Sequence, residues 1–331
     1  MKKYLGNSLQ IRGAERYTLE GGKGNGMRFI CVRNGCGLEA WISLDRAGDL
    51  SRVTFKGENM GYFSPCGYVA PQYYDNKGIG FLKSFTAGFF TTCGLTNIGN
   101  PCTDEGEELP LHGTISNIPS EDAAISETKE GIEISVTVRD YTFTAQKLAL
   151  KRKYFFSYSE NTISVNDTVV NEGINVSPYA LLYHCNMAYP LLTEKSIVKI
   201  PNKGIKPRSD FAAEHIATAL TVDKPTTNAK ERCYYFDVND TNGIASAGIY
   251  NEDIDKGVII SYDKSTLPCF TEWQMFDEIK YVLGLEPCTC ELEGRDVLRK
   301  NNQLEFIEPG ETKNTSLTFK FVDKKCEFDA F

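Results

Sequence analysis

At 331 residues, 41% hydrophobic and 24% charged, the chain has the balance of a globular protein, too apolar for disorder and long enough for two average domains or one large all-β core. Its formal net charge of −8, with no strong Lys/Arg cluster to override it, opposes binding to nucleic acid or to anionic membranes. No apolar run approaches the roughly 20 residues that cross a bilayer, and Met1-Lys2-Lys3-Tyr4-Leu5-Gly6-Asn7 leads into polar residues where a signal peptide would turn apolar, so a cytoplasmic protein is expected.

In chain order, Gly22, Gly24 and Gly26 superficially suggest a phosphate loop. A strand pattern follows them where a nucleotide-binding fold needs a helix, so that reading is discarded. Met27 to Val32 and Leu38 to Leu44 read as strands joined by a hairpin turn at Asn34-Gly35. Strict apolar/polar alternation from Ile132 to Arg139 marks a strand with one buried and one wet face. Leu148 to Tyr158 and Thr162 to Val170 follow, and the run Lys151-Arg152-Lys153 is expected to be a solvated edge. Ser209 to Leu220, with a capping Ser or Asp and an Ala-rich body, predicts a helix of about three turns in a surface insertion. Val258 to Tyr262, Tyr281 to Leu285 and Leu317 to Val322 are further strands. No linker, repeat or low-complexity tract interrupts them, so 1–331 is expected to form a single all-β domain with few short helices.

Eleven cysteines are scattered from Cys31 to Cys326, odd in number and without the paired C-x-x-C spacing of a zinc site. Small reduced thiols are expected, with no metal. The N-x-S/T triplets at Asn166, Asn175 and Asn314 carry little meaning without a secretory route.

Only three histidines are present. His112 follows the acidic stretch Asp104 to Glu108 in a Pro- and Gly-flanked segment, and His215 falls in the helix candidate as an exposed bystander. His184 lies in the apolar run Leu181 to Asn186. If that run is extended, Leu182, His184 and Asn186 share one face. The same alternation in Tyr281 to Cys288 groups Val282, Gly284 and Glu286, and the glycine leaves room beside a carboxylate that an apolar strand must otherwise explain. Upstream, Thr271-Glu272-Trp273-Gln274-Met275 offers an acid, an amide and one of two tryptophans, a mixture suited to sugar hydroxyls and a sugar face.

With these residues in view, the chain resembles the aldose 1-epimerase-like proteins of the galactose mutarotase superfamily. The resemblance runs over most of its length: Leu44 to Leu50, Gly88 to Asn97, Leu111-His112-Gly113, Val169 to Gly173, Tyr183 to Asn186 and Gly284-Leu285-Glu286-Pro287, in that order. It looks closest to an uncharacterised branch. The resemblance implies a large antiparallel β-supersandwich that binds a monosaccharide, with His184 as general acid, Glu286 as general base and His112 orienting a ring or anomeric oxygen. Asn186, Glu272 and Trp273 would contact the sugar. Relatives commonly carry an arginine soon after His-Gly, whereas Thr114 follows Gly113 here and no Arg precedes Ser116; Lys83 and Arg46 are candidate replacements.

Mutarotation needs one proton taken from the anomeric hydroxyl and one given to the ring oxygen. A carboxylate and an imidazolium suffice, without metal or organic cofactor. If both are buried side by side they should titrate near neutrality, a sugar ring apart in one pocket. Three other readings stay open at this point: a glycoside hydrolase or lyase using Glu272 and Glu286 as a carboxylate pair, a non-catalytic sugar-binding module, and an isomerase acting on an unusual or modified sugar. The small-molecule partner would be a sugar in each case, and the oligomeric state is not specified by sequence.

Overall fold

The structure, a computed structural model, describes residues 2–331. Two large antiparallel sheets dominate it. One is nine-stranded and runs in the order Asp122–Glu127, Gly131–Tyr141, Lys147–Ser157, Thr162–Asn171, Thr312–Val322, Lys256–Asp263, Ile244–Asn251, Ser196–Lys199, with Asp240–Thr241 beside Ile244–Asn251. The other is seven-stranded: Asn202–Pro207, Arg232–Val238, Cys269–Phe276, Tyr281–Cys288 and Ser177–Met187, with Glu305–Ile307 and Phe90–Leu95 both pairing the last of these. A five-stranded sheet at the N-terminal end begins with Gly13–Thr18 and Arg28–Arg33.

Period-two alternation explains how the sheets pack. Ile134, Val136, Leu150 and Phe319 of the nine-stranded sheet join Leu181, Tyr183, Leu283 and Leu285 of the seven-stranded sheet, and Ile30, Ile42 and Val53 of the N-terminal sheet, in one buried cluster. Each such side chain contributes about 1.5–3 kcal/mol when fully buried. The intervening residues of the seven-stranded sheet, His184, Trp273 and Glu286 among them, therefore face away from this core.

The hairpin expected at Asn34-Gly35 forms with a four-residue loop, 34–37, between strands that end at Arg33 and begin at Leu38. Asn34 Oδ1 accepts from the Cys36 and Leu38 amides at 2.9 and 3.0 Å. Gly22 to Gly24 make one 3₁₀ turn ahead of a strand. The helix expected over 209–220 is shorter. It runs from Asp210 to Glu214, capped by Ser209, and tightens to 3₁₀ at Ile216–Thr218 after the His215 imidazole bonds the Phe211 carbonyl at 2.8 Å. It is not a detached insertion, because Ala212 and Ala219 are buried in the core. Two more short helices, Arg295–Lys300 and Lys325–Asp329, lie outside the helix expected from sequence.

Lys151-Arg152-Lys153 is not a solvated edge. Its strand lies inside the nine-stranded sheet, so the two lysines point to solvent while Arg152 points inward, with a side chain 0% exposed. Arg152 donates to Asp167 Oδ2 (2.6 Å), to Asp49 Oδ1 (2.7 Å) and to Thr92 Oγ1 (2.8 Å), and the Tyr183 hydroxyl donates to Asp167 at 2.6 Å. Burial works against the Arg152 charge, but Asp167 and Asp49 beside it hold it firmly protonated. The guanidinium thereby ties all three sheets together.

The eleven cysteines are free thiols. Among the described residues, no group of three or more His, Cys, Asp or Glu is placed to hold a metal, and no helix is long and apolar enough to cross a membrane.

Candidate active site

A cleft of about 570 Å³ opens on the face of the seven-stranded sheet that turns away from the core. Its floor follows from strand register. Asn186 pairs with Gly284 and Cys185 with Leu285, which places His184 beside Glu286. Trp273 pairs with Gly284 and Thr271 with Glu286. Residues directly opposite on antiparallel strands point to one face, so Trp273, Glu286 and His184 emerge together.

His184 Nδ1 and Glu286 Oε1 are 3.2 Å apart but not aligned as a hydrogen bond, and among the described residues neither these atoms nor Glu286 Oε2 has another partner. The pair is thus closer than the sugar-ring separation expected from sequence. Nor do both groups titrate near neutrality. Burial pushes the Glu286 carboxyl well above the usual carboxylate range, with Arg208 opposing and Glu231 reinforcing, while burial pushes His184 down to about 4. Gly284 makes the arrangement possible: a Cβ there would lie 2.2 Å from Glu286 Oε1 and 3.2 Å from Trp273 Cβ.

His112 reaches the same space from the loop that covers the sheet. Its ring centroid lies 5.6 Å from that of His184, and its Nδ1 is buried without a partner. Its backbone is left-handed (φ 60°), a conformation that costs about 1 kcal/mol or more in a non-glycine residue. The loop is held by bonds from the His112 amide to Gly99 O (3.0 Å) and from the Gly94 amide to His112 O (3.1 Å). Gly113, next in the chain, has no room for a side chain, as a Cβ would meet Gly94 O at 2.2 Å. Burial, then the neighbouring His184 and Arg208, holds the His112 imidazole well below its ordinary value, so it stays neutral. Trp273 forms a wall 5.3 Å from the His184 ring, with Nε1 donating to Glu231 Oε2 at 3.0 Å.

Other candidates lie elsewhere. Glu272 pairs with Leu285 and faces inward with it; burial raises its carboxyl to about 8, and Gln274 donates to it at 3.0 Å. It neither contacts the cleft nor forms a pair with Glu286. Asn186 shares the His184 face but is fully buried, its amide donating to the His184 carbonyl at 2.7 Å, so it supports the site from beneath. Lys83 points to solvent, bonded to Asp75 at 2.6 Å. Arg46 is buried outside the cleft, donating to Ser84 O and Val69 O at 2.8 and 3.2 Å, a framework position.

The cations that do line the cleft are Lys280, which is paired with Asp277 at 2.7 Å, and Arg208. Arg208 Nη2 donates to Asn100 Oδ1 (2.8 Å) and Leu292 O (2.9 Å), and among the described residues Nε and Nη1 make no hydrogen bond. Arg208 precedes the capping Ser209, and only that position ahead of a helix could have drawn attention to it. Glu231 was also missed, lying in a polar loop with no periodic signal.

The fold is that of the galactose mutarotase-like proteins. The chain belongs to the family described as Domain of unknown function (DUF4432), whose model matches residues 24–321. A Klebsiella pneumoniae protein provisionally described as an aldose 1-epimerase is 27% identical, with a TM-score of 0.91 over 98% of this chain and 88% of that one. A galactose mutarotase-like protein of Clostridium acetobutylicum shares the fold at 14% identity (TM-score 0.68, 94% and 99% covered). So does a galactose 1-epimerase of Lactobacillus acidophilus at 15% (0.64, 95% and 99%). No curated protein matches the chain.

Proposed function

We propose that the protein is an aldose 1-epimerase-type isomerase that interconverts the anomers of a free aldopyranose. The observation that carries this reading is the buried, otherwise unpartnered pair His184 and Glu286 on the floor of a cleft walled by Trp273. Glu286 takes the proton from the O1 hydroxyl while His184 gives one to the ring oxygen, and the C1–O5 bond breaks to leave the open aldehyde. After rotation about C1–C2, the C5 hydroxyl adds to the other face of the carbonyl and the protons return by the reverse route. Neutral His112 hydrogen-bonds the ring or anomeric oxygen, and Arg208 anchors hydroxyls.

Only one transferable proton is needed. Burial favours protonated Glu286 with neutral His184, which holds the same single proton as the carboxylate–imidazolium form. Arg208 and the incoming hydroxyls favour the charged form in which the reaction starts. The hydrolase alternative requires a carboxylate pair flanking one bond, and Glu272 and Glu286 lie on opposite faces of the sheet.

The test is exchange at the anomeric proton, followed by NMR across a panel of free aldoses. On a responsive sugar, Glu286→Gln and His184→Ala should each slow catalysed exchange by ~10²-fold or more. His215→Ala should leave it unchanged. Full activity in both site variants would favour the sugar-binding-module reading instead.

A further inference from the structure

We infer that the cleft is built for aldopyranoses whose C5 carries hydrogen or methyl, that is pentoses and 6-deoxyhexoses, in preference to hexoses bearing a C5 hydroxymethyl group. This rests on the acid and base roles proposed above. In a pyranose the ring oxygen is bonded to C1 and C5, so an acid serving that oxygen has the C5 substituent as its neighbour. The base at O1 has the C2 hydroxyl as its neighbour. What surrounds His184 therefore meets C6, and what surrounds Glu286 meets the ring hydroxyls.

The surroundings of His184 are apolar. The Phe85 ring lies 5.4 Å away, and Phe81 lies 5.1 Å from Phe85 and 5.1 Å from His112. These two belong to a buried cluster with Tyr62 and Val282. The polar atoms in this quarter are occupied: the Tyr62 hydroxyl donates to Ile279 O at 3.0 Å, the Ser64 hydroxyl donates to Phe85 O, and the Lys280 ammonium, on the solvent side, is held by Asp277 at 2.7 Å. The His112 ring nitrogens, which make no hydrogen bond among the described residues, are given to the ring or anomeric oxygen. Arg208, by contrast, follows the sheet beyond Trp273, its backbone amide donating to the Cys233 carbonyl that pairs across from that tryptophan. A methyl group at C5 would fill the apolar wall, whereas a hydroxymethyl group would lose its water there without gaining a partner.

An apolar pocket rejects an added hydroxyl only moderately, by up to ~10²-fold, so the comparison must use sugars that differ at C6 alone. The measurement is kcat/KM for anomer exchange on D-fucose against D-galactose, L-fucose against L-galactose and D-xylose against D-glucose, with glucose 6-phosphate as an anionic arm. The preferred member of each accelerated pair should lead by more than about three-fold, reaching roughly ten- to a hundred-fold. Phe85→Tyr, which brings a hydroxyl to the wall, should narrow that ratio; if the variant does not fold, the wild-type ratios decide alone. Acceleration of hexoses with smaller ratios, or acceleration confined to the phosphate, would overturn this inference and leave ring opening standing. No acceleration of any sugar would overturn the acid and base assignment, and the inference with it.

Discussion

The Glu286 carboxylate folds back over its own strand because position 284 has no side chain. Gly284→Ala would place a methyl against Glu286 Oε1, the mobile end of a flexible side chain, and 3.2 Å from Trp273 Cβ, so the carboxylate should move aside and the tryptophan shift by a few tenths of an ångström, at modest cost to the fold. The expected outcome is a loss of kcat of about ten-fold or more with only a modest fall in Tm, read by anomer exchange and thermal unfolding. Protonation sets a second expectation. The pair holds its single proton between His184, lowered to about 4, and the raised Glu286. Activity in kcat/KM should persist into acid until His184 takes a second proton and no base remains, and should fall in alkali as Glu286 loses its proton and no acid remains. Stability follows the same sign. A carboxyl whose folded pKa is raised contributes fully below its unfolded value and loses that contribution as pH rises through the folded one. Glu286→Gln should therefore raise Tm relative to wild type at pH 7–8, by an advantage that grows by at most about 1.4 kcal/mol per pH unit above the unfolded carboxyl and vanishes near pH 4.

At the scale of strands, parity carried most of what was legible. Ile132 to Arg139 alternates without exception, and its strand extends two or fewer residues beyond at either end, as Gly131–Tyr141. The same period put His184 and Glu286 on faces that the register brings together. It would also have separated Glu272 from Trp273, because adjacent residues in a strand point apart; reading Thr271 to Met275 as one polar-aromatic patch overlooked this. Arg152 shows the same lesson in reverse, since three consecutive basic residues in a strand cannot all face water. Arg208, Glu231 and the left-handed turn at His112 were illegible for a different reason. Their positions come from loops folded over the sheet, where no period links sequence to direction. Lys83 and Arg46, the candidate replacements for an arginine after His-Gly, each bond a group outside the cleft instead.

Across the whole molecule, Arg152 connects Asp49, Thr92 and Asp167, one residue from each of three sheets. Arg152→Met would leave two buried carboxylates without their cation, and the expected loss is about 3–5 kcal/mol by urea unfolding. The loss should shrink in acid, as the Asp49 carboxyl, which burial raises, takes up a proton. The network reaches Tyr183, whose backbone neighbour is His184, so the residue that joins the sheets also stiffens the strand beneath the cleft. The two tryptophans are divided between these regions in a useful way. Trp41 packs with Tyr17 and Phe29 on the N-terminal sheet, while Trp273 stands edge-on to the His184 imidazole. A Trp41→Phe protein would thus emit from a single indole that stands 5.3 Å from the imidazole of the proposed acid. Its fluorescence would follow both sugar occupancy and His184 protonation, an optical readout that needs no knowledge of the substrate beforehand.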